Sequence, residues 1–215
     1  MKVLVICDDL WHPAEVIELG LAGLPAEYEC TVVKTAKDIL TPAYLAEFPL
    51  VVCCKGNTVN AANPAPWFED GVTEATPREF EAYVQNGGGF LSLHAGNTAK
   101  QGQPYADFVG NYFAGHPPRC SVDVHITQKE HPVARGVSDF TARDEHYNIV
   151  LSCTDAQVFC RTVSETGGEQ IGGYTREIGK GRLCVLTPGH TLSVWQNREF
   201  LKLLDNAMRW CASVR

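Results

Sequence analysis

Short apolar runs alternate with amphipathic segments along the first half of the chain. "KVLVIC" (2–7), "FPLVVCC" (48–54) and "GFLSL" (89–93) have almost no polar face, and "CTVVK" (30–34) adds a further strand. Runs of this kind read as strands of a sheet covered on both sides. Between them, "HPAEVIELGLAGL" places Val16, Ile17, Leu21 and Leu24 on one stripe, with Pro13 suited to a first helical position. "TPREFEAYVQNGGG" predicts a helix capped by Thr76, opened by Pro77 and boxed by Glu79; Phe80, Tyr83 and Val84 form its buried stripe and Gly87 its left-handed stop.

The second half alternates instead. In "CSVDVHI" (120–126) Val122, Val124 and Ile126 share a face, and "QVFCRTV", "QIGGYTRE" and "GRLCVLT" follow with glycine-rich turns between them. The last helix, from about Arg198 to Cys211, carries Phe200, Leu203, Leu204, Ala207, Met208 and Cys211 at helical spacing. With no linker, repeat or low-complexity stretch, the pattern predicts one α/β domain over residues 1–215. Its core is a mostly parallel, doubly wound sheet with some added antiparallel strands. "KVLVIC", "LVVCC" and "GFLSL" are expected as adjacent interior strands.

Composition narrows the picture only slightly. At 45% hydrophobic and 20% charged residues the chain reads as an ordinary globular protein, and its formal net charge of -7 argues against a nucleic-acid partner. No run of about 18 apolar residues exists, and the N-terminal run is too short for a signal-peptide core. The expectation is a cytoplasmic protein without a membrane partner. The nine cysteines lack CxxC spacing and mostly sit in apolar runs, so they read as buried reduced thiols. A reactive thiol at Cys7 or Cys54 is the alternative.

In doubly wound sheets, ligands bind beyond the carboxyl ends of the strands. That rule selects Asp8, Asp9, Trp11 and His12 after the first strand, Lys55, Gly56 and Asn57 after the third, His94 after the fourth, and Pro188, Gly189 and His190 after "GRLCVLT". "SLHAG" matches a strand–turn–helix elbow, which demands small residues two before and two after the exposed one; Ser92 and Gly96 meet that demand around His94. An imidazole presented there is a general acid/base or a metal ligand.

The ordered pieces "GGGFLSLHAG", "YFAGHP", "EHPVARGVSDF", "DEHY", "KGRLCVLTPGHT" and "MRW" together resemble the ThuA-like (trehalose-utilisation) family, within the class I glutamine amidotransferase-like superfamily. The resemblance spans roughly the whole chain. It implies a three-layer, flavodoxin-like sandwich and a role in sugar metabolism, with disaccharide use running through 3-keto sugars. The family usually carries a Trp before "GRL", where Tyr174 stands here. True glutaminases of this fold place Cys at the elbow and a later His-x-Glu. Here the elbow holds His94, and two residues after His190 stands Leu192. Glutamine hydrolysis is therefore not expected.

Further polar residues should join His94 and His190. His116, in "AGHPP", should close the cavity. In an extended "DEHY", Asp144 and His146 face one way and Glu145 and Tyr147 the other. The candidate catalytic set is His94, Glu145, His190, Tyr147 and Asp144, with the Glu145–Tyr147 pair favoured for the pocket and Asp144 then bonding a loop backbone. Trp11, Asn57, Asn97 and Trp195 are the candidate substrate contacts, since an aromatic face suits the apolar C–H face of a sugar; Trp67 also flanks these loops. His12, His94, His116 and His190 could hold a divalent metal such as Zn²⁺, although no local HxxxH or HxH pair exists; the alternative is a hydrogen-bonded polar pocket without an ion. His125 and His131 read as solvated and turn-forming. Two readings of function follow. One is an enzyme acting on a sugar or keto-sugar by His/Glu acid–base chemistry, a hydrolase or lyase, with or without a metal. The other is a non-catalytic sugar-binding or scaffold protein. Convergence of His12, His94, His116, Glu145 and His190 in one pocket favours the first. A homo-oligomer is compatible with either.

Overall fold

A computed structural model describes residues 1–56 and 73–213. In chain order the elements are β1 (Lys2–Ile6), α1 (Ala14–Leu21), β2 (Glu29–Val33), α2 (Ala36–Ile39), α3 (Pro42–Leu45), β3 (Leu50–Cys53), α4 (Pro77–Gln85), β4 (Gly89–Leu93), α5 (Pro104–Val109), β5 (Asn111–Gly115) and β6 (Cys120–Ile126). There follow β7 (Phe140–Asp144), β8 (Asn148–Leu151), β9 (Gln157–Ser164), β10 (Gly168–Ile178), β11 (Gly181–Leu186), α6 (Leu192–Trp195) and α7 (Arg198–Ala212).

Among the described residues nine strands form one sheet in the order β2-β1-β3-β4-β11-β10-β9-β6-β7. The first five are mutually parallel, and the rest join through antiparallel pairs. As their sequences predict, β1, β3 and β4 are adjacent interior strands. Successive residues feed opposite layers: Val3 and Val5 pack on one side with Phe200, Leu203 and Met208 of α7, Leu4 and Ile6 on the other with Phe80 and Val84 of α4. Burial of both faces explains why these strands carry no polar alternation. In β6 the alternation is real, with Val122, Val124 and Ile126 buried and the residues between them exposed.

Helix ends follow the chemistry with one difference. The Glu79 carboxylate accepts the Thr76 backbone N–H at 3.0 Å and Gly87 adopts φ 102 after α4, as the capping pattern predicts. Pro13, however, stands one position before α1, in extended backbone. The Asp8 carboxylate accepts the first helical amide, of Ala14, at 3.1 Å. The deep face of α1 is Ala14, Ile17 and Gly20, while Val16, Leu21 and Leu24 are only partly buried, because the helix lies against the ring of Trp195 at Gly20. Among the described residues no helix is long and apolar enough to cross a membrane.

Two features of the fold position the site. Four antiparallel steps separate β11 from β7, an even number, so β7 runs in the direction of β4 and β11 and ends at the same sheet edge. The pairing of β10 with β9 shifts register around Ile171–Tyr174; such bulges bend and twist a sheet, and the far strands curl back over that edge. The second feature is the elbow. β4 runs into His94 at φ 41, a left-handed conformation uncommon for a residue with a side chain, and a 3-10 turn follows over His94–Asn97. The turn fits only because position 96 has no side chain: a Cβ there would run into the Cys53 carbonyl oxygen and lie 2.7 Å from Ser92 Oγ. Gly96→Ala is therefore expected to cost about 3 kcal/mol, the upper end for overpacking against rigid backbone, as measured by urea unfolding; a loss below about 0.5 kcal/mol would refute this account of the turn.

Candidate active site at the carboxyl edge of the sheet

Three histidines meet at this edge. His94 arrives from the elbow after β4, His12 from the turn after β1 and His190 from the loop after β11. Their ring centroids lie 5.0–5.3 Å apart in edge-on pairs. Each ring is oriented by one nitrogen. His94 Nδ1 lies 2.6 Å from the Thr187 carbonyl oxygen; a carbonyl can only accept, so Nδ1 carries the proton and Nε2 the lone pair of the neutral ring. His12 Nδ1 lies 2.7 Å from Asp9 Oδ1, and its Nε2 lies 3.1 Å from the Tyr147 hydroxyl. His190 Nε2 contacts the Arg119 guanidinium, and its Nδ1 sits 3.1 Å from Glu145 Oε2.

Glu145 lies at the centre. Its Oε2 is 3.8 Å from His94 Nε2 and 3.5 Å from His116 Nε2, and its Oε1 is 3.4 Å from Arg119 Nε. Glu145 and Tyr147 face the pocket because Asp144 and His146 face away from it. The Asp144 carboxylate accepts the amides of Gly189 at 2.8 Å, His190 at 2.9 Å and Thr191 at 3.3 Å. His146 is tied to Ser164 Oγ at 2.6 Å and Thr162 Oγ1 at 3.0 Å. Alternation along an extended segment does the rest. Tyr147 stacks on His94, with centroids 3.9 Å apart.

The surroundings set the protonation states. Burial holds the His94 imidazole below its ordinary value, against Glu145 and Asp144, which would raise it. Burial alone would push the Glu145 carboxyl up; the contacts with His190 and His94 and the charges of His190 and His116 outweigh it and hold the group well below the usual carboxylate range. For Asp9, too, burial is outweighed, by the His12 hydrogen bond and charge and the amides of Gly56 and Trp11. Burial, reinforced by the charges of Glu145, Asp9 and Asp144, keeps the Tyr147 phenol well above its usual value. At neutral pH the pocket thus presents a carboxylate, a neutral His94 and an intact phenol.

Asp9, His12, Glu145, Tyr147 and His190 line a cavity of about 590 Å³ together with Trp11, Lys100, Phe113, His116 and Arg119; His94 lies against Tyr147, outside the lining. Trp11 is 68% exposed. His116 stacks on Tyr147 at 5.6 Å and borders the cavity.

Several expected site residues stand elsewhere. Asp144, in the candidate catalytic set, spends its carboxylate on the three loop amides and does not line the cavity. Trp195 is buried, donates its indole N–H to the Gly189 carbonyl at 2.8 Å and offers no face to a sugar. Asn97 is buried under the elbow, where its amide donates to the Ser92 and Leu186 carbonyls. His116 lies beside the His12–His94–Glu145–His190 group rather than in it. Asn57 and Trp67 lie outside the described residues. Tyr174 is a core residue bonded to Asn111 and the Val109 carbonyl. Burial raises the Cys7 thiol to about 12 and Cys54 well above its ordinary value, so neither is a thiolate at neutral pH.

The strand-end rule selects Asp9 without pairing it to His12, and nothing in the sequence pattern points to Arg119 or anticipates the burial of Lys55, whose ammonium is held by the backbone carbonyls of Cys7, Asp8 and Lys34. The Asp9–His12 spacing was a usable signal: the two residues exchange backbone hydrogen bonds in one turn. Arg119 carried none, since it follows a proline pair with no charge pattern around it.

A mostly parallel sheet flanked by helices, with an elbow after a central strand faced by a histidine from the adjacent strand's loop, defines an α/β sandwich that presents an imidazole at its elbow. Within that class the chain belongs to the ThuA (trehalose utilisation) family, whose model matches residues 2–211, and so to a family associated with carbohydrate metabolism. A ThuA-like protein from Parabacteroides merdae ATCC 43184 is similar over 99% of this chain and 90% of its own, at 19% identity and a TM-score of 0.77. One from Bacteroides uniformis ATCC 8492 is similar over 98% and 91%, at 19% identity and 0.72. A protein from Thermoplasma acidophilum described as part of a GMP synthase shares the fold over 99% and 94%, at 16% identity and 0.60. No curated protein sequence matches the chain.

Two outcomes test the division of roles. Asp144→Ala should cost roughly 2–5 kcal/mol in urea unfolding by stranding buried amides. Glu145→Gln should cost less, about 1 kcal/mol, because it strands no backbone amide and loses only the contacts of a carboxylate at the cavity surface, which solvent screens. Equal losses would contradict the assignment. Nitrogen NMR should find His94 neutral, protonated on Nδ1, at pH 6.5 and titrating below that value; titration above it would show that Glu145 dominates over burial.

Proposed function

We propose that this protein is an enzyme that acts on a keto-sugar, or a sugar glycoside derived from one, by His/Glu acid–base chemistry. The observation that carries the reading is the lone pair of His94 Nε2, buried behind Tyr147 and 3.8 Å from an ionised Glu145 that lines a sugar-sized cavity. A neutral imidazole there is a general base, and the carboxylate stabilises the imidazolium that forms when it takes a proton. Tyr147, kept protonated, supplies the acid.

The carboxylates favour this chemistry over ordinary glycoside hydrolysis. A glycosidase needs two free carboxyl groups, one of them protonated. Glu145 is held ionised, and Asp9 is ionised and engaged by His12, Trp11 and Gly56. A ketone at C3 of a sugar ring removes the need for a carboxylic acid. It acidifies the C2–H bond and leaves the C1 oxygen β to the carbonyl. His94 takes the C2 proton, the electron pair forms the C1–C2 double bond, and the C1–O bond breaks with a proton delivered to the departing oxygen from Tyr147. Phe113 and Trp11 offer apolar faces for the sugar's C–H side.

The test is incubation with 3-keto-disaccharides, 3-keto-trehalose first, followed by NMR. Cleavage is expected with the keto-sugar and not with trehalose itself. His94→Ala and Tyr147→Phe should each lower kcat by about 10²–10⁴-fold. Glutamine should release no ammonia. Binding of the keto-sugar without turnover would instead favour the non-catalytic sugar-binding reading.

A further inference from the structure

The pocket contains an arrangement that acid–base chemistry alone leaves unexplained. The Thr187 carbonyl fixes the proton of His94 on Nδ1, so the Nε2 lone pair of the neutral ring points at the Glu145 carboxylate, 3.8 Å away. Two acceptors face each other in a buried place. Both His94 Nε2 and His190 Nδ1 are buried without a well-aligned hydrogen bond, which is costly unless a partner satisfies them. His12 repeats the pattern: Asp9 takes its Nδ1 proton and leaves Nε2 turned inward, toward the Tyr147 hydroxyl. A positive centre between these atoms would satisfy the His94 lone pair and the carboxylate at once, with His12 Nε2 beside it and His190 Nδ1 joining once its proton moves to Nε2.

We infer that His12 Nε2, His94 Nε2, His190 Nδ1 and the Glu145 carboxylate form a site for one divalent transition-metal ion, zinc(II) foremost. One ligand atom from each of the four residues lies within 4.8 Å of the others. The His190–Glu145 and His94–Glu145 separations of 3.1 and 3.8 Å bracket the edge of about 3.3 Å that Zn–N and Zn–O bonds near 2.0–2.1 Å give a tetrahedron. Imidazole and carboxylate suit zinc and its neighbours better than calcium or magnesium. Outer partners are in place: a carboxylate behind His12 and a backbone carbonyl behind His94, the two supports that fix the tautomer of a metal-binding histidine. No cysteine belongs to the group among the described residues, and His116, a third exposed, lies outside it.

Arg119 is the counterpart of this site. Its guanidinium touches Glu145 and His190 Nε2. Arginine only donates, so this contact requires His190 to carry its proton on Nδ1, the nitrogen needed for the metal. Metal binding moves that proton to Nε2 and displaces Arg119, whose side chain is half exposed at the cavity mouth. Arg119 and the metal thus compete for the same carboxylate.

The inference rests on this cluster being the working site and changes one role in it. With an ion bound, the His94 Nε2 lone pair is given to the metal and His94 is no longer the base, the ion supplying instead the positive charge that would polarise a ketone. The inference is tested without a sugar. Metal-free protein is titrated with Zn²⁺ by calorimetry against a chelator, and with Co²⁺ by visible absorption. One ion per chain is expected, with a Co²⁺ spectrum lacking thiolate charge transfer. His94→Ala and Glu145→Gln should each weaken binding more than 100-fold, and Asp9→Asn by about 10–100-fold. Arg119→Gln should tighten it, and His116→Ala should leave the stoichiometry unchanged. Circular dichroism checks that each variant is folded, and Glu145→Gln keeps the size of the side chain. Absence of binding, thiolate bands, or wild-type affinity in folded His94→Ala and Glu145→Gln would each overturn the site. Keto-sugar turnover by metal-free protein would leave the proposed function standing alone; metal binding without turnover of any keto-sugar would leave the metal site standing alone.

Discussion

The site depends on one carboxylate that takes no part in its chemistry. Asp144 ends β7, the outermost strand of the antiparallel half, and Gly189–Thr191 follow β11 in the middle of the sheet. These ends meet only because the sheet curls back, and Asp144 holds them together through three backbone amides. A carboxylate accepting several amide hydrogen bonds is among the strongest polar contacts available to a buried group. With that tie closed, Glu145 and Tyr147 hang over the ends of the parallel strands. Without it they would lie on a separate sheet edge, and His94 and His190 would face only each other and His12.

The elbow is the second constraint, and it connects the fold to the chemistry more directly. A left-handed residue between Ser92 and Gly96 projects its side chain off the sheet edge whatever that side chain is. In a glutaminase the geometry serves a thiol, which needs a base beside it. With histidine the same backbone delivers a base, and what it needs beside it is a carbonyl to set the tautomer and a carboxylate to receive the charge. Thr187 and Glu145 occupy those positions.

How much of this was legible depended on whether a residue's role was local. The interior strands were, because burial on both faces leaves a run such as "KVLVIC" without polar alternation. The elbow was, because Ser92 and Gly96 are forced by the turn itself. The alternation in "DEHY" was too, but not which pair faces inward, since the Asp144 tie joins residues 45 positions apart. Trp195 and Asn97 show the opposite error. Both adjoin site loops in sequence, yet each is consumed in holding those loops, Trp195 by the Gly189 carbonyl and Asn97 by Leu186. Proximity in sequence does not separate a side chain that points at the ligand from one that supports the loop. Arg119 was invisible for the converse reason, as its partners Glu145 and His190 are distant in the chain.

The electrostatics of the cluster have a direction. Glu145 stands between a solvent side occupied by Arg119 and His116 and a buried side occupied by His94. The exposed groups sit in high dielectric, where their charge is screened; His94 sits where it is not. Burial keeps His94 neutral at rest, so the strongest interaction open to the carboxylate, with a positive charge on its buried side, is unrealised in the resting protein. An interaction absent in the ground state and gained when charge develops is the kind that lowers a barrier rather than merely tightening binding. That asymmetry requires the deep histidine to be uncharged and its outer nitrogen bare, conditions set by the Thr187 carbonyl and by the packing of Tyr147 against the ring.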